Sequence, residues 1–142
     1  MTDQEMVKVA RDLVDAFNAS DWERYDKLLP SDTVYNELGT QRQLRGLSQI
    51  IEAMKGWKQA MPDVKGTVTN AFASGKKVTL EVTWEGTHTG PLTGSAGTIP
   101  PTGKRQVTPS AWIFDFEGDK IKESRNYFDM LSFLQQIGAA AK

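Results

Sequence analysis

Residues 66–85 read GTVTNAFASGKKVTLEVTWE, and the fold is decided there. From Lys77 onward, Val78, Leu80, Val82 and Trp84 alternate with Thr79, Glu81, Thr83 and Glu85. A period of two sends every second side chain to the same face, so 77–85 is predicted to be a strand with one buried and one wet face. Ser74-Gly75-Lys76 separates it from a strand-like run over 66–74, which is a hairpin pattern. Downstream, 108–116 and 121–128 read as two further strands around the tight turn Glu117-Gly118-Asp119-Lys120. Neighbouring strands joined this way build an antiparallel sheet.

The first half of the chain is helical. Over 3–19, Met6, Val9, Ala10, Leu13, Val14 and Phe17 recur at spacings of three and four, one apolar stripe on a helix. Ser20 followed by Glu23 has the spacing of a capping box for a second helix over 21–29, which Pro30 stops. A short strand is predicted over 33–38, with Val34, Asn36 and Leu38 on one face and Tyr35 and Glu37 on the other. A third helix follows Gly46, with Ser48 as its N-cap and Ile50, Ile51, Met54, Trp57 and Met61 as its apolar members, and Pro62 ends it. A short helix over 129–137 runs to Gly138. Helices followed by consecutive strands make an α+β domain. A curved antiparallel sheet wrapped around the three N-terminal helices encloses a conical hollow. Residues 87–105, with four glycines and three prolines, read as one long loop, and loops of that length are often functional.

Composition narrows the function. A length of 142 residues suits one domain over 1–142. Seventeen basic against eighteen acidic residues leave a net charge of −1, with no basic stripe for nucleic acid. There is no cysteine and His88 is the single histidine, which rules out thiolate sites and a zinc site built from several imidazoles. Mean hydropathy is −0.46, and the apolar runs fall short of the ~18 residues that span a bilayer. The acidic start Met1-Thr2-Asp3-Gln4-Glu5 does not resemble a secretory signal, so a cytoplasmic location without membrane contact is expected.

Several short motifs stand in a distinctive order. Met61-Pro62-Asp63 closes the third helix, Gly86-Thr87-His88-Thr89-Gly90 leaves the long strand, and Pro100-Pro101-Thr102-Gly103-Lys104 leads into the next. Gly118-Asp119-Lys120-Ile121-Lys122-Glu123 then precedes Tyr127-Phe128-Asp129, with Gln135-Gln136-Ile137-Gly138 at the end. Together they resemble the SnoaL-like polyketide cyclase and ester cyclase family of the nuclear transport factor 2-like superfamily, with a cystatin-like cone as the implied fold. In the cyclases of that family an aspartate at the end of the last strand is the acid/base of an intramolecular aldol closure, with neither metal nor organic cofactor. The resemblance carries that role to Asp129 and a pocket-lining amide to Asn36. Ketosteroid isomerases of the superfamily place a carboxylate base in the first-strand region, so Asn36 departs from isomerase chemistry.

An aldol closure needs a base for the proton alpha to a carbonyl and a donor for the oxygen that becomes negative. A desolvated carboxyl group can serve both needs. Asp129, among Tyr127, Phe128, Met130 and Leu131, is placed for that role, and equally for N-capping the helix that follows. Asn36 offers a donor and an acceptor to a substrate carbonyl, or is a structural amide. Glu37, on the opposite face, reads as solvated, His88 as a rim or surface residue near the substrate, and Asp63 as a turn residue. Phe17, Tyr35, Met54, Trp57 and Trp112 are the expected apolar lining for a small, apolar molecule. Trp84 and its strand mates suit either the core or a homodimer contact on the outer sheet face. Two functions compete: a cofactor-free enzyme acting on an apolar carbonyl compound, and a noncatalytic module that binds a hydrophobic ligand.

Overall fold

The computed structural model describes residues 1–94 and 97–141. Helix α1 (Asp3–Asn18) starts at a capping box in which the Thr2 side chain and Glu5 each accept from the other's backbone N–H. Met6, Ala10, Leu13, Val14 and Phe17 form its buried face, as the stripe requires. Each such side chain taken out of water contributes about 1.5–3 kcal/mol. Helix α2 (Trp22–Leu28) follows a tight reversal in which Ser20 adopts φ 52°. Its N-cap is Asp21, whose carboxylate accepts from Arg24 N, so the expected box from Ser20 to Glu23 is not the cap. Helix α3 (Leu47–Ala60) begins directly after Gly46, at φ 87° and without a side-chain cap, which displaces Ser48 from the role expected of it.

Among the described residues there are eight strands: β1 (Val34–Glu37), β2 (Arg42–Arg45), β3 (Lys65–Ser74), β4 (Lys77–Thr87), β5 (Leu92–Gly94), β6 (Gly97–Ile99), β7 (Arg105–Glu117) and β8 (Lys120–Phe128). Helix α4 (Met130–Gln136) is last. The main sheet runs β2-β1-β8-β7-β4-β3, with its two edges unpaired, so it curls over the helices without closing. All pairings in it are antiparallel except that of β1 with β8. The hairpin at Gly75 and the turn at Gly118 both place glycine at φ 63°, a conformation that other residues rarely adopt. Strand β2 was not anticipated. Its sequence, RQLR, carries no apolar alternation and pairs only at the sheet edge.

Two further expectations are corrected here. The segment read as one loop holds the small β5–β6 hairpin and the start of β7, which begins at Arg105 instead of 108; Ser95 and Ala96 lie outside the described residues. Trp84 does not face outward: with Val78, Leu80 and Val82 it turns inward, where its ring meets Phe17 edge-on at 5.3 Å between centroids. The outer face of β4 carries Thr79, Glu81, Thr83 and Glu85, so Trp84 cannot serve a contact there. Among the described residues no helix is long and apolar enough to cross a membrane.

Candidate functional site

The curled sheet and the helices enclose a cavity of about 70 Å³. Helix α1 contributes Phe17 to its wall, β1 contributes Tyr35, α3 contributes Met54 and Trp57, and β7 contributes Trp112. The five residues chosen as apolar lining therefore meet at one place. Met61, Trp84, Phe128 and Phe133 complete the apolar wall. Trp57 stacks edge-on against both Phe128 and Phe133, at 6.4 and 5.7 Å between ring centroids.

The alternation of β1 is as expected and Tyr35 lies in the lining as expected, but Glu37 shares its inward face and Asn36 does not. Tyr35 and Glu37 are the buried pair, and Val34 and Asn36 lie on the other face. The Asn36 amide is outside the cavity lining: Nδ2 donates to Glu123 Oε2 at 2.9 Å and Oδ1 accepts from Gln43 Nε2 at 2.7 Å, so it ties β1 to its neighbours on either side. Glu37, expected to be solvated, is 1% exposed and lines the cavity. Four donors converge on it. Thr40 Oγ1 and Arg42 Nε donate to Oε1 at 2.6 and 2.8 Å, while the Tyr35 hydroxyl and Trp57 Nε1 donate to Oε2 at 3.1 and 3.0 Å. Burying a carboxylate is costly unless it is paired and fully hydrogen-bonded, and here its roughly four lone-pair positions each have a donor.

That saturation fixes the polarity of its neighbours. A carboxylate only accepts, so the single Tyr35 hydroxyl proton points to Glu37. Tyr35 oxygen then accepts from Asn126 Nδ2 at 3.2 Å, which assigns the Asn126 amide and leaves its Oδ1 buried without a partner among the described residues. Trp112 Nε1 is likewise buried and unpartnered, whereas Trp84 Nε1 donates to Ser110 at 2.9 Å. Trp112 and Asn126 are directly opposed across the β7–β8 ladder, and both line the cavity. Burial, and after it the negative charge of Glu37, pushes the Tyr35 phenol well above its usual range; the same two causes raise Tyr25. On β7, Gln106 and Thr108 extend the polar part of the wall, with Thr108 Oγ1 donating to Gln106 at 2.6 Å.

Asp129 stands elsewhere. It is exposed at the N-cap of α4, its Oδ1 accepting from Ser132 N at 3.0 Å, and it is not part of the cavity wall. Of the two roles the sequence offered, the geometry gives it the cap. His88 is neither at a rim nor on the surface: it is fully buried and not part of the cavity lining, with Nδ1 3.0 Å from Thr102 Oγ1 and its backbone bonded to Gly103 and Lys104. Burial lowers its pKa. Asp63 accepts from Thr87 N at 2.7 Å, pinning the start of the segment that follows β4. Among the described residues no three carboxylate or imidazole groups gather to hold a metal ion.

Sequence reasoning missed Glu37 as a cavity residue because an alternating strand does not announce which face is buried. The available signal was Thr40 and Arg42 close behind it, a hydroxyl and a cation within reach of a buried carboxylate.

Comparison with known proteins agrees with this architecture. The chain is 31% identical over 134 residues to sordarin/hypoxysordarin biosynthesis cluster protein G of Sordaria araneosa, covering 93% of this chain and 85% of that protein. Its fold superposes on TsrD from Streptomyces laurentii with a TM-score of 0.84 at 21% identity, over 99% of each chain. A protein of ketosteroid isomerase-like fold from Catenulispora acidiphila gives 0.77 at 21% identity, over 94% of each chain. The sequence model for the SnoaL-like polyketide cyclase matches residues 7–137, and the chain belongs to that family.

Proposed function

We propose that the protein is an acid/base enzyme acting on a small apolar carbonyl compound in this cavity, with Glu37 and Tyr35 as the pair that moves the proton. The observation that carries the reading is the directed chain Asn126→Tyr35→Glu37, buried in a wall made mainly of aromatic rings and methionines. Every acceptor position on Glu37 is occupied at rest. Two of the four donors are hydroxyls, which turn about one C–O bond without moving any heavy atom; of these Tyr35 makes the longer bond, 3.1 against 2.6 Å for Thr40, and it alone lines the cavity. When it turns to a ligand oxygen it frees a lone pair on Oε2, and its raised pKa keeps the phenol proton available as a donor. Glu37 then takes the proton alpha to the carbonyl, the enolate carbon attacks a second carbonyl of the same molecule, and the new alkoxide receives the proton. One C–H bond and the π bond of the attacked carbonyl break, one C–C and one O–H bond form, and the enzyme ends as it began. The family and the cluster for which the Sordaria araneosa relative is named support a small-molecule substrate.

A second reading, a noncatalytic binding module, is favoured by the same saturation of Glu37, since a carboxylate with four donors is a poor base until one leaves. Deuterium exchange at the alpha carbons of cyclopentanone in D2O, followed by NMR, separates the two. An enzyme accelerates exchange above buffer, and Glu37→Gln and Tyr35→Phe each lose about 10²-fold or more. Ketone binding without exchange, or an undiminished rate in both variants, supports the module instead.

A further inference from the structure

The buried indole N–H of Trp112 and the buried amide oxygen of Asn126 have no partner among the described residues, although they sit on directly opposed residues of one ladder. A lone buried donor and a lone buried acceptor each forgo hydrogen bonds they would make in water, which is costly. Opposed residues on one sheet face hold their Cβ atoms roughly 5 Å apart. We infer that this pair reads a hydroxyl group on the ligand, a phenol or the enol form of a carbonyl, whose oxygen accepts from Trp112 Nε1 while its proton is donated to Asn126 Oδ1. The inference rests on the reading above that the cavity is the ligand site.

A hydroxyl satisfies both atoms with one group, whereas a ketone oxygen satisfies Trp112 alone and a hydrocarbon satisfies neither. The pair therefore selects a ligand that carries a hydroxyl at this position over its keto or deoxy counterpart. Asn126 belongs to both devices, since its Nδ2 orients Tyr35 while its Oδ1 is the acceptor left over for the ligand hydroxyl. Recognition and proton transfer are thus joined at one amide. The open volume of about 70 Å³ holds two or so waters, and an aromatic guest needs more. The unbranched side chains of Met54 and Met61, both in the wall, are the ones suited to yield.

Phenol and toluene, nearly identical in shape, are the probes. In the wild-type protein, phenol is expected to shift the Trp112 indole N–H resonance downfield, with toluene leaving it near its starting position. The Trp84 indole, already held by Ser110, serves as the internal control. Trp112→Phe supplies the assignment. The ratio of phenol to toluene affinity is expected to fall about tenfold in Trp112→Phe and in Asn126→Leu, the effect of leaving one partner unpaired. The wild-type spectrum decides the question even if a variant does not fold. Toluene binding with an unchanged affinity ratio, or equal indole shifts from both probes, overturns hydroxyl recognition and leaves the cavity as the ligand site. Failure of both probes to bind at millimolar concentration overturns the ligand site and this inference together.

Discussion

The Trp57 indole N–H, on the last turns of α3, donates to Glu37 Oε2 on β1 at 3.0 Å. One hydrogen bond thereby fastens a helix to the sheet at the cavity wall, and its acceptor is a charged group with almost no contact with water. Hydrogen bonds to charged groups contribute about 1.5–3 kcal/mol. Trp57→Phe keeps the ring contacts with Phe128 and Phe133 but removes the donor. The expected result is a loss of about 2 kcal/mol of stability in urea unfolding; a variant within 0.5 kcal/mol (roughly the scatter of neutral surface substitutions) would mean that Glu37 does not depend on this donor.

Asp129 gives the opposite kind of expectation. Its carboxylate caps α4 from the exposed side of the molecule, and caps of this type contribute ~1 kcal/mol. Asp129→Ala is expected to lose about that much in thermal or urea unfolding, and Asp129→Asn, an equally good cap, almost none. Neither substitution should alter the rate of ketone exchange. A collapse of that rate in a folded Asp129→Asn protein would return the aspartate to the mechanism.

The legible and illegible parts of the sequence divide along a physical line. Helix α1, the β3–β4 and β7–β8 hairpins and the aromatic lining were readable, because apolar periodicity and glycine turns are local signals. Strand β2 was not, because an edge strand of sequence RQLR obtains its partners from β1 and not from a pattern of its own. The inward position of Glu37 was hidden for a similar reason. A four-residue strand with an apolar residue on each face, Val34 on one and Tyr35 on the other, carries no local sign of which face is buried, and the face of Tyr35 and Glu37 is the one turned inward. A buried carboxylate is paid for by Thr40, Arg42 and Trp57, and the last of these lies twenty residues away in another element. The role transferred to Asp129 rested on a motif, and a motif gives position along the chain without giving exposure.

Asp115 and Arg125 form a bidentate pair on the outer face of the sheet, at 2.7 and 3.1 Å, with Lys77 at 2.6 Å from the same carboxylate. The Arg125 hydrogen bonds, with Lys77 in support, hold the Asp115 carboxyl down at about 2 against an ordinary 3.8. The folded pKa is depressed, so the pair's contribution is complete above pH ~4 and is lost as pH falls toward 2. The shift corresponds to about 2 kcal/mol. Asp115→Asn is expected to remove that increment at neutral pH and to flatten the acid limb of a stability–pH profile. Parallel acid limbs in the two proteins would dissociate Asp115 from acid unfolding.

His88 gives a second acid-sensitive contribution, from inside the molecule. The ring is fully buried, its Nε2 has no partner among the described residues, and its backbone N–H and C=O clasp Lys104 and Gly103 across the segment that leaves β4. Burial disfavours the imidazolium and lowers the folded pKa below 6.5, the nearby Gly90 backbone acting in the opposite direction to a smaller extent. The unfolded chain therefore binds the proton more readily. Stability supplied by neutral His88 is complete above pH ~6.5 and declines as pH falls through the lowered value, well before Asp115 titrates. Thermal unfolding between pH 7 and 5 is expected to show a falling midpoint in the wild type and a flatter profile in His88→Gln, which keeps a polar group beside Thr102 and cannot be protonated. A histidine C2–H resonance that titrates at or above 6.5 in the folded protein would place the ring in water and remove the basis for this acid sensitivity.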